Sequence, residues 1–164
     1  MRKQCKRKIY AKVNPIAYAM EGARLMMPEE LQDLRDKDNR CLDNMTNGTA
    51  TVDDWRELAE AINLCWMFAH HGVGPEAIVC CELAILEMDI AKERYHKTNK
   101  MGLSGAGIRA IKDVLEYAAL QQVSISRSEF EKMIVKTRNK ITGLIAEWKG
   151  RKDGKPLRLR QQEA

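Results

Sequence analysis

Apolar residues recur at three- and four-residue spacing through most of this chain, in segments separated by glycine, proline and small polar residues. Leu31, Leu34, Cys41, Leu42 and Met45 fall on one stripe, the spacing of a helix with one buried face. Glu29 and Glu30 lie in its first turn, where the helix dipole favours negative charge. Thr46-Asn47-Gly48 closes it with residues suited to the left-handed turn past a helix end. A helix is predicted over 29–45. The next segment opens on Thr51 and Asp54, a capping box with Asp in place of the usual Glu or Gln. Trp55, Leu58, Ala59, Ile62, Cys65, Trp66 and Ala69 then line one face, and His70 and His71 close the last turn. Gly72-Val73-Gly74 breaks this helix, and Pro75 starts another, as a first-turn proline does.

That third helix, over 75–97, carries Ile78, Cys81, Ala84, Ile85 and Met88 as its buried stripe. Val79, Leu83 and Leu86 widen the stripe, so the pattern predicts a central helix covered on several sides. Met101 to Gly107 reads as a flexible connection. A fourth helix follows from Ser104 or Gly107 to Gln122, with Ile108, Ile111, Leu115, Ala118 and Ala119 inward. A fifth begins after Ser126, whose Glu129 completes a capping box. It keeps Phe130, Met133, Ile134, Thr137, Ile141, Leu144, Ile145 and Trp148 on one face before Gly150 ends it. Upstream, Asn14-Pro15 signals a turn or helix start, and a short helix through Ile16, Met20 and Ala23 ends near Pro28. No stretch alternates as a strand. The fold class predicted is all-α, a bundle of about five helices with basic N- and C-terminal arms and short connections that favour antiparallel neighbours. The division is 1–14 arm, 15–148 helical domain, 149–164 arm.

Composition agrees with one helical domain. The chain has 164 residues, 45 % of them hydrophobic, and aromatics make up only 5 %, a mix that suits helix packing better than a sheet. No run reaches the roughly 18 apolar residues of a membrane span. The basic N-terminus leads into no signal-peptide apolar region, so the expected setting is cytoplasmic, without membrane contact. The five cysteines, Cys5, Cys41, Cys65, Cys80 and Cys81, are an odd number in no framework spacing, which reads as reduced thiols. Cys41, Cys65 and Cys81 fall on apolar helix faces, where Cys behaves as a small hydrophobe.

Charge changes the picture more. The overall +5 divides into +10 on the first twelve and last sixteen residues and −5 on the body between them. Arg2, Lys3, Lys6, Arg7, Lys8 and Lys12 form the N-terminal cluster; Arg151, Lys152, Lys155, Arg158 and Arg160 form the C-terminal one. These are the candidate partner- or nucleic-acid-binding residues. Charges this close repel unless they are solvated or face an anion. Phosphate contact would make binding fall steeply with salt, and Tyr10 and Tyr18 could stack on bases. Pro156-Leu157-Arg158-Leu159-Arg160 alternates apolar and basic residues and could dock as an extended segment. The stretch from Glu29 to Glu60 nets −6 and reads either as a solvated face on two helices or as a surface that docks on a basic groove.

Catalytic chemistry finds little support. Cys65, His70, His71, Cys80, Cys81 and His96 are the candidate metal ligands, but the paired ones are adjacent in sequence and diverge by about 100° on a helix. Zinc sites favour ligand steps such as C-x-x-C. Capping of carbonyls by the histidines and core filling by the cysteines explain them without metal. Gly102, Gly105 and Gly107 mimic a glycine-rich loop, yet no strand precedes them and no lysine stands in the phosphate-loop position. No G-x-S-x-G elbow is present, and the pairs Asp53-Asp54 and Glu29-Glu30 sit in first helical turns, where dipole compensation accounts for them. The expectation is no enzyme, no cofactor and no metal. Trp66, Met67 and Phe68 cannot all face one core, which predicts an exposed apolar patch on the second helix, as a dimer seam or partner site.

Lys6-Arg7-Lys8-Ile9-Tyr10, then Asn14-Pro15-Ile16-Ala17-Tyr18-Ala19-Met20-Glu21-Gly22, and later Asn47-Gly48-Thr49-Ala50-Thr51 opening into a Trp- and Leu-bearing helix, resemble a family of small helical proteins encoded by bacterial phages and prophages. The resemblance covers about the first eighty residues. It implies a phage accessory protein in the bacterial cytoplasm, of a kind that antagonises host defence, including CRISPR surveillance complexes. The function expected is a non-enzymatic anti-CRISPR-type inhibitor that binds a bacterial protein or ribonucleoprotein complex through its helical body and basic arms. The alternatives are a direct DNA- or RNA-binding phage regulator or accessory protein, and a small metal-binding protein.

Overall fold

The computed structural model describes residues 14–150, with side-chain surroundings to residue 143. The basic clusters at 2–12 and 151–160, Tyr10 and Cys5 lie outside the described residues, as do the side chains of Leu144, Ile145 and Trp148. The described residues are all-helical, with six helices rather than about five: α1 (Pro15–Ala23), α2 (Pro28–Asn47), α3 (Val52–His70), α4 (Ala77–Thr98), α5 (Gly105–Ser124) and α6 (Arg127–Gly150). The sixth is α1, the short helix expected upstream of the five, and its start is fixed by the Asn14 side chain accepting from the Ile16 and Ala17 amides. No strand forms among these residues; Leu25 and Ser126, and Ala50 and Met101, make isolated bridges only. No helix described is long and apolar enough to cross a membrane.

The helix ends follow from local hydrogen bonding. Thr51 Oγ1 accepts from the Asp54 amide at 3.2 Å, and Asp54 Oδ2 accepts from the Thr51 amide at 2.7 Å. Ser126 and Glu129 repeat the exchange ahead of α6. Gly48 ends α2 at φ 72°, a backbone that glycine adopts without strain. The third predicted helix begins two residues late, at Ala77, because Gly74 and Pro75 accept from the Ala77 and Ile78 amides in a turn.

Successive helices run back along one another. Lys37 pairs with Glu57 and Asn44 bonds Asp54 across α2 and α3; Trp55 Nε1 donates to the Met88 carbonyl at 3.1 Å across α3 and α4. The main core joins Leu42, Met45, Leu58, Ile62, Cys65, Cys81, Ala84, Met88, Ile111 and Val114 from α2 to α5. A smaller cluster joins Met67, Phe68, Ile125, Phe130 and Met133, with Met26, Leu34 and Ile134 against it. Trp66 touches both.

This second cluster corrects one expectation. Met67 and Phe68 are buried, Phe68 facing the Phe130 ring at 6.1 Å, because α6 returns over the end of α3 and gives those side chains a core of their own. No patch of Trp66, Met67 and Phe68 is left exposed. The connection before α5 is corrected as well. Met101 is buried and the Leu103 amide donates to the Met45 carbonyl at 3.3 Å, so the glycine-bearing segment is packed against the end of α2. Its Gly107 is fixed by packing: a Cβ there would stand 3.1 Å from Glu87 Oε2 and 3.2 Å from Leu103 Cδ2.

Candidate functional site

α4 is where sequence and structure differ most. Its core face is Ala77, Cys81, Ala84, Met88 and Ala91. Val79, Leu83 and Leu86, expected under cover, are 67, 54 and 57 % exposed, and Ile90, one turn on, is 41 % exposed. At 100° per residue these four fall within about 60° of arc, directly opposite the core face. α3 and α5 cover one side of α4 and nothing among the described residues covers the other. The helix is apolar on two opposite faces, a core on one side and an open stripe on the other, with charged residues between them. Contiguous exposed aliphatic side chains of this kind mark interaction surfaces in water-soluble folds.

Acids flank the stripe. Glu82 and Asp89 are exposed along one edge. Glu87 lies on the other, accepting at 2.7 Å from Ser104 Oγ, which in turn caps α5 by accepting from the Gly107 amide at 2.9 Å. Arg94 is on the same edge, one turn beyond Ile90, with Nη1 on the Gly102 carbonyl at 3.4 Å.

A second feature is a cleft of about 430 Å³ between α2, α3, α5 and α6. Leu34, Leu64, Phe68, Phe130, Ile134 and Ile141 supply apolar lining, and Lys37, Asp38, Glu57, Glu60 and Arg138 supply charge. Lys37 is taken by Glu57, and that hydrogen bond holds the Lys37 ammonium above its ordinary pKa. Burial pushes the Asp38 carboxyl up to about 6; Lys37 opposes this and the Glu57 charge adds to it. Asp38 also borders a neighbouring hollow with Arg35, Lys112 and Glu116. Gln121 closes the inner end of α5, its Nε2 donating to the carbonyls of Cys65 at 3.2 Å and Val73 at 2.8 Å. Nothing in the periodicity pointed to this buried glutamine; its position one turn after Ala118 on the inward face was the only signal.

Part of the acidic stretch is engaged within the fold, while Glu29, Asp33, Asp36, Asp43 and Glu60 are exposed. Glu30 accepts from the Met27 amide, which lowers its pKa, and pairs with Arg24 and Arg127. Asp53 pairs with Arg56, Asp54 caps α3, and Glu57 holds Lys37. Glu30, Asp54 and Glu57 thus set helix ends and a helix pair, and the exposed acids form a solvated face on α2 and α3.

Of the candidate metal ligands the fold brings the Cys65 and Cys81 thiols together, with Cys80 adjacent, and keeps the histidines apart from them. Among the described residues no three His, Cys, Asp or Glu side chains are placed to hold a metal ion. His71 Nδ1 lies 2.9 Å from the Met67 carbonyl at the end of α3. His70 meets Trp66 at a tilt with ring centroids 3.8 Å apart, while Lys140 Nζ stands 4.0 Å from the same indole; burial and then Lys140 lower the His70 pKa. His96 is in the last turn of α4, at the far end from the α3–α4 connection. Cys65 Sγ donates to the Val114 carbonyl and Cys80 Sγ to the Ala77 carbonyl. Burial pushes the Cys41 and Cys80 thiols up to about 11, and the Cys65 thiol followed by burial pushes Cys81 up further. Raised in this way, these thiols are held in the neutral form at neutral pH.

No protein family, curated protein or solved structure matches this chain. The candidate surfaces are therefore those its own geometry shows: the open stripe of α4, and the cleft beside Asp38.

Proposed function

We propose that this chain is a non-enzymatic helical binding protein that docks on a protein partner through α4. The observation that carries the reading is the stripe of Val79, Leu83, Leu86 and Ile90, exposed opposite the buried face of the same helix. Burying apolar surface stabilises a complex by about 25 cal/mol per Å² before association costs are subtracted. Four clustered aliphatic side chains are enough to anchor an interface whose charged edge sets orientation. The phage or prophage origin and the anti-CRISPR type of inhibition are the specific form of this proposal and rest on the sequence resemblance alone. In that form the helical body holds a protein subunit of the defence complex in the bacterial cytoplasm. The clusters Lys3 to Lys12 and Arg151 to Arg160 add contact to nucleic acid or to acidic grooves of the complex.

The test is a tagged pull-down from bacterial lysate with and without nuclease, read by mass spectrometry, beside a Leu83→Ala/Leu86→Ala variant. Subunits of one defence complex that survive nuclease and are lost with the variant support the proposal. Retention of nucleic acid alone, released by nuclease and indifferent to the variant, overturns it in favour of direct DNA or RNA binding through the basic clusters.

A further inference from the structure

The kind of partner follows from the edges of the same stripe, on the reading that the stripe docks protein. Val79, Leu83, Leu86 and Ile90 are spaced four, three and four residues apart. This is the d-a-d-a seam of a heptad, the pattern that packs side chains into the holes of a facing helix. In that register Glu82, Asp89 and His96 occupy the g positions; Cys80, Glu87 and Arg94 occupy the e positions. Residues at e and g face the partner across the seam and select it by charge.

A second copy of this chain fits poorly. Pairing α4 with itself in parallel brings Glu82 against Glu87, with only Asp89 against Arg94 in compensation. Pairing it antiparallel brings Glu82 against Asp89 from both sides. Acids opposed across a partly desolvated seam repel. From these positions we infer that α4 receives an amphipathic helix of a different protein, one with aliphatic a and d residues flanked by Lys or Arg. Such a helix meets the apolar stripe with its seam and Glu82, Glu87 and Asp89 with its flanks. The arrangement favours a heterologous partner over self-association.

The test uses two synthetic three-heptad peptides with Leu at a and d, one with Lys and one with Glu at every e and g position. Binding to the full chain is followed by fluorescence anisotropy. The Lys-flanked peptide is expected to bind about tenfold more tightly at low salt, with the gap narrowing as salt rises. Leu83→Ala/Leu86→Ala should abolish binding with its circular dichroism unchanged, since both side chains are already solvent-exposed. Glu82→Lys/Asp89→Lys should reverse the preference, which attraction to the acids of α2 and α3 would not do. Equal binding of both peptides, an unreversed preference, or a concentration-dependent dimer by light scattering overturns the inference and leaves the docking reading standing. A monomer that binds neither peptide also overturns the inference, and the pull-down with the Leu83→Ala/Leu86→Ala variant then decides the docking reading.

Discussion

Asp38 shows how much one residue's surroundings can add to its sequence. Read along the chain it is one acid among ten between Glu29 and Glu60. In the fold it is half-buried beside the cleft, and burial pushes its carboxyl up to about 6. A carboxyl whose pKa is raised on folding binds a proton more readily folded than unfolded. The cost of burying its charge is fully present above about pH 6 and falls away towards the ordinary carboxylate range. Asp38→Asn should therefore raise the melting temperature at about pH 7.5, and the advantage should close by about pH 4 in thermal melts. Gly107 makes the same point by steric means. Gly107→Ala is expected to cost about 1–3 kcal/mol in chemical denaturation through overpacking against Glu87 and Leu103. Gly143→Ala, which meets nothing within 4 Å, should instead gain about 0.5–1 kcal/mol of helix propensity.

Between elements, what the sequence reveals depends on how local the cause is. Helix ends at Gly48, Thr51, Ser104 and Ser126 are legible because the groups that satisfy the end amides and carbonyls lie within a few residues of them. The buried stripes of α2 and α3 are legible because their polar faces contrast with them; in α5 Ile111 and Ala118 face inward as expected, but Val114 is buried while Ile108, Leu115 and Ala119 are only half-buried. α4 lacks that contrast, and periodicity cannot distinguish a helix covered on all sides from one with a core face and an open face. The fate of Met67 and Phe68 was hidden for a related reason: their cover comes from Phe130 and Met133, more than sixty residues on. The glycine-bearing connection before α5 looked mobile because its tie to Met45 is equally distant. The two faces of α4 should differ sharply on truncation. Met88→Ala should cost about 2–5 kcal/mol in chemical denaturation, while Leu86→Ala, two residues away, should change stability by less than about 0.5 kcal/mol.

Across the whole molecule, α2 to α5 close mostly through neighbours in sequence, while α1 does not. α1 buries no residue and leaves Ile16, Tyr18 and Met20 exposed. It reaches the start of α6, where Arg127 bonds Glu21 at 3.3 Å, Glu30 at 3.0 Å and Glu131 at 3.2 Å, and the Arg127 amide donates to the Arg24 carbonyl at 2.8 Å. Glu21 and Arg127 are 106 positions apart, so joining them closes a loop that takes in most of the described chain. Surface ion pairs of this kind contribute little, about 0–1 kcal/mol each, and salt screens them. Closing a long loop before such weak contacts is entropically unfavourable. In time rather than space, the hairpins of α2 to α5 assemble first, and α1 settles on α6 last and leaves first. Hydrogen exchange should show α1 amides exchanging ahead of all core helices, faster still at high salt, while the amides around Ile62 and Ile111 keep the full protection of global unfolding.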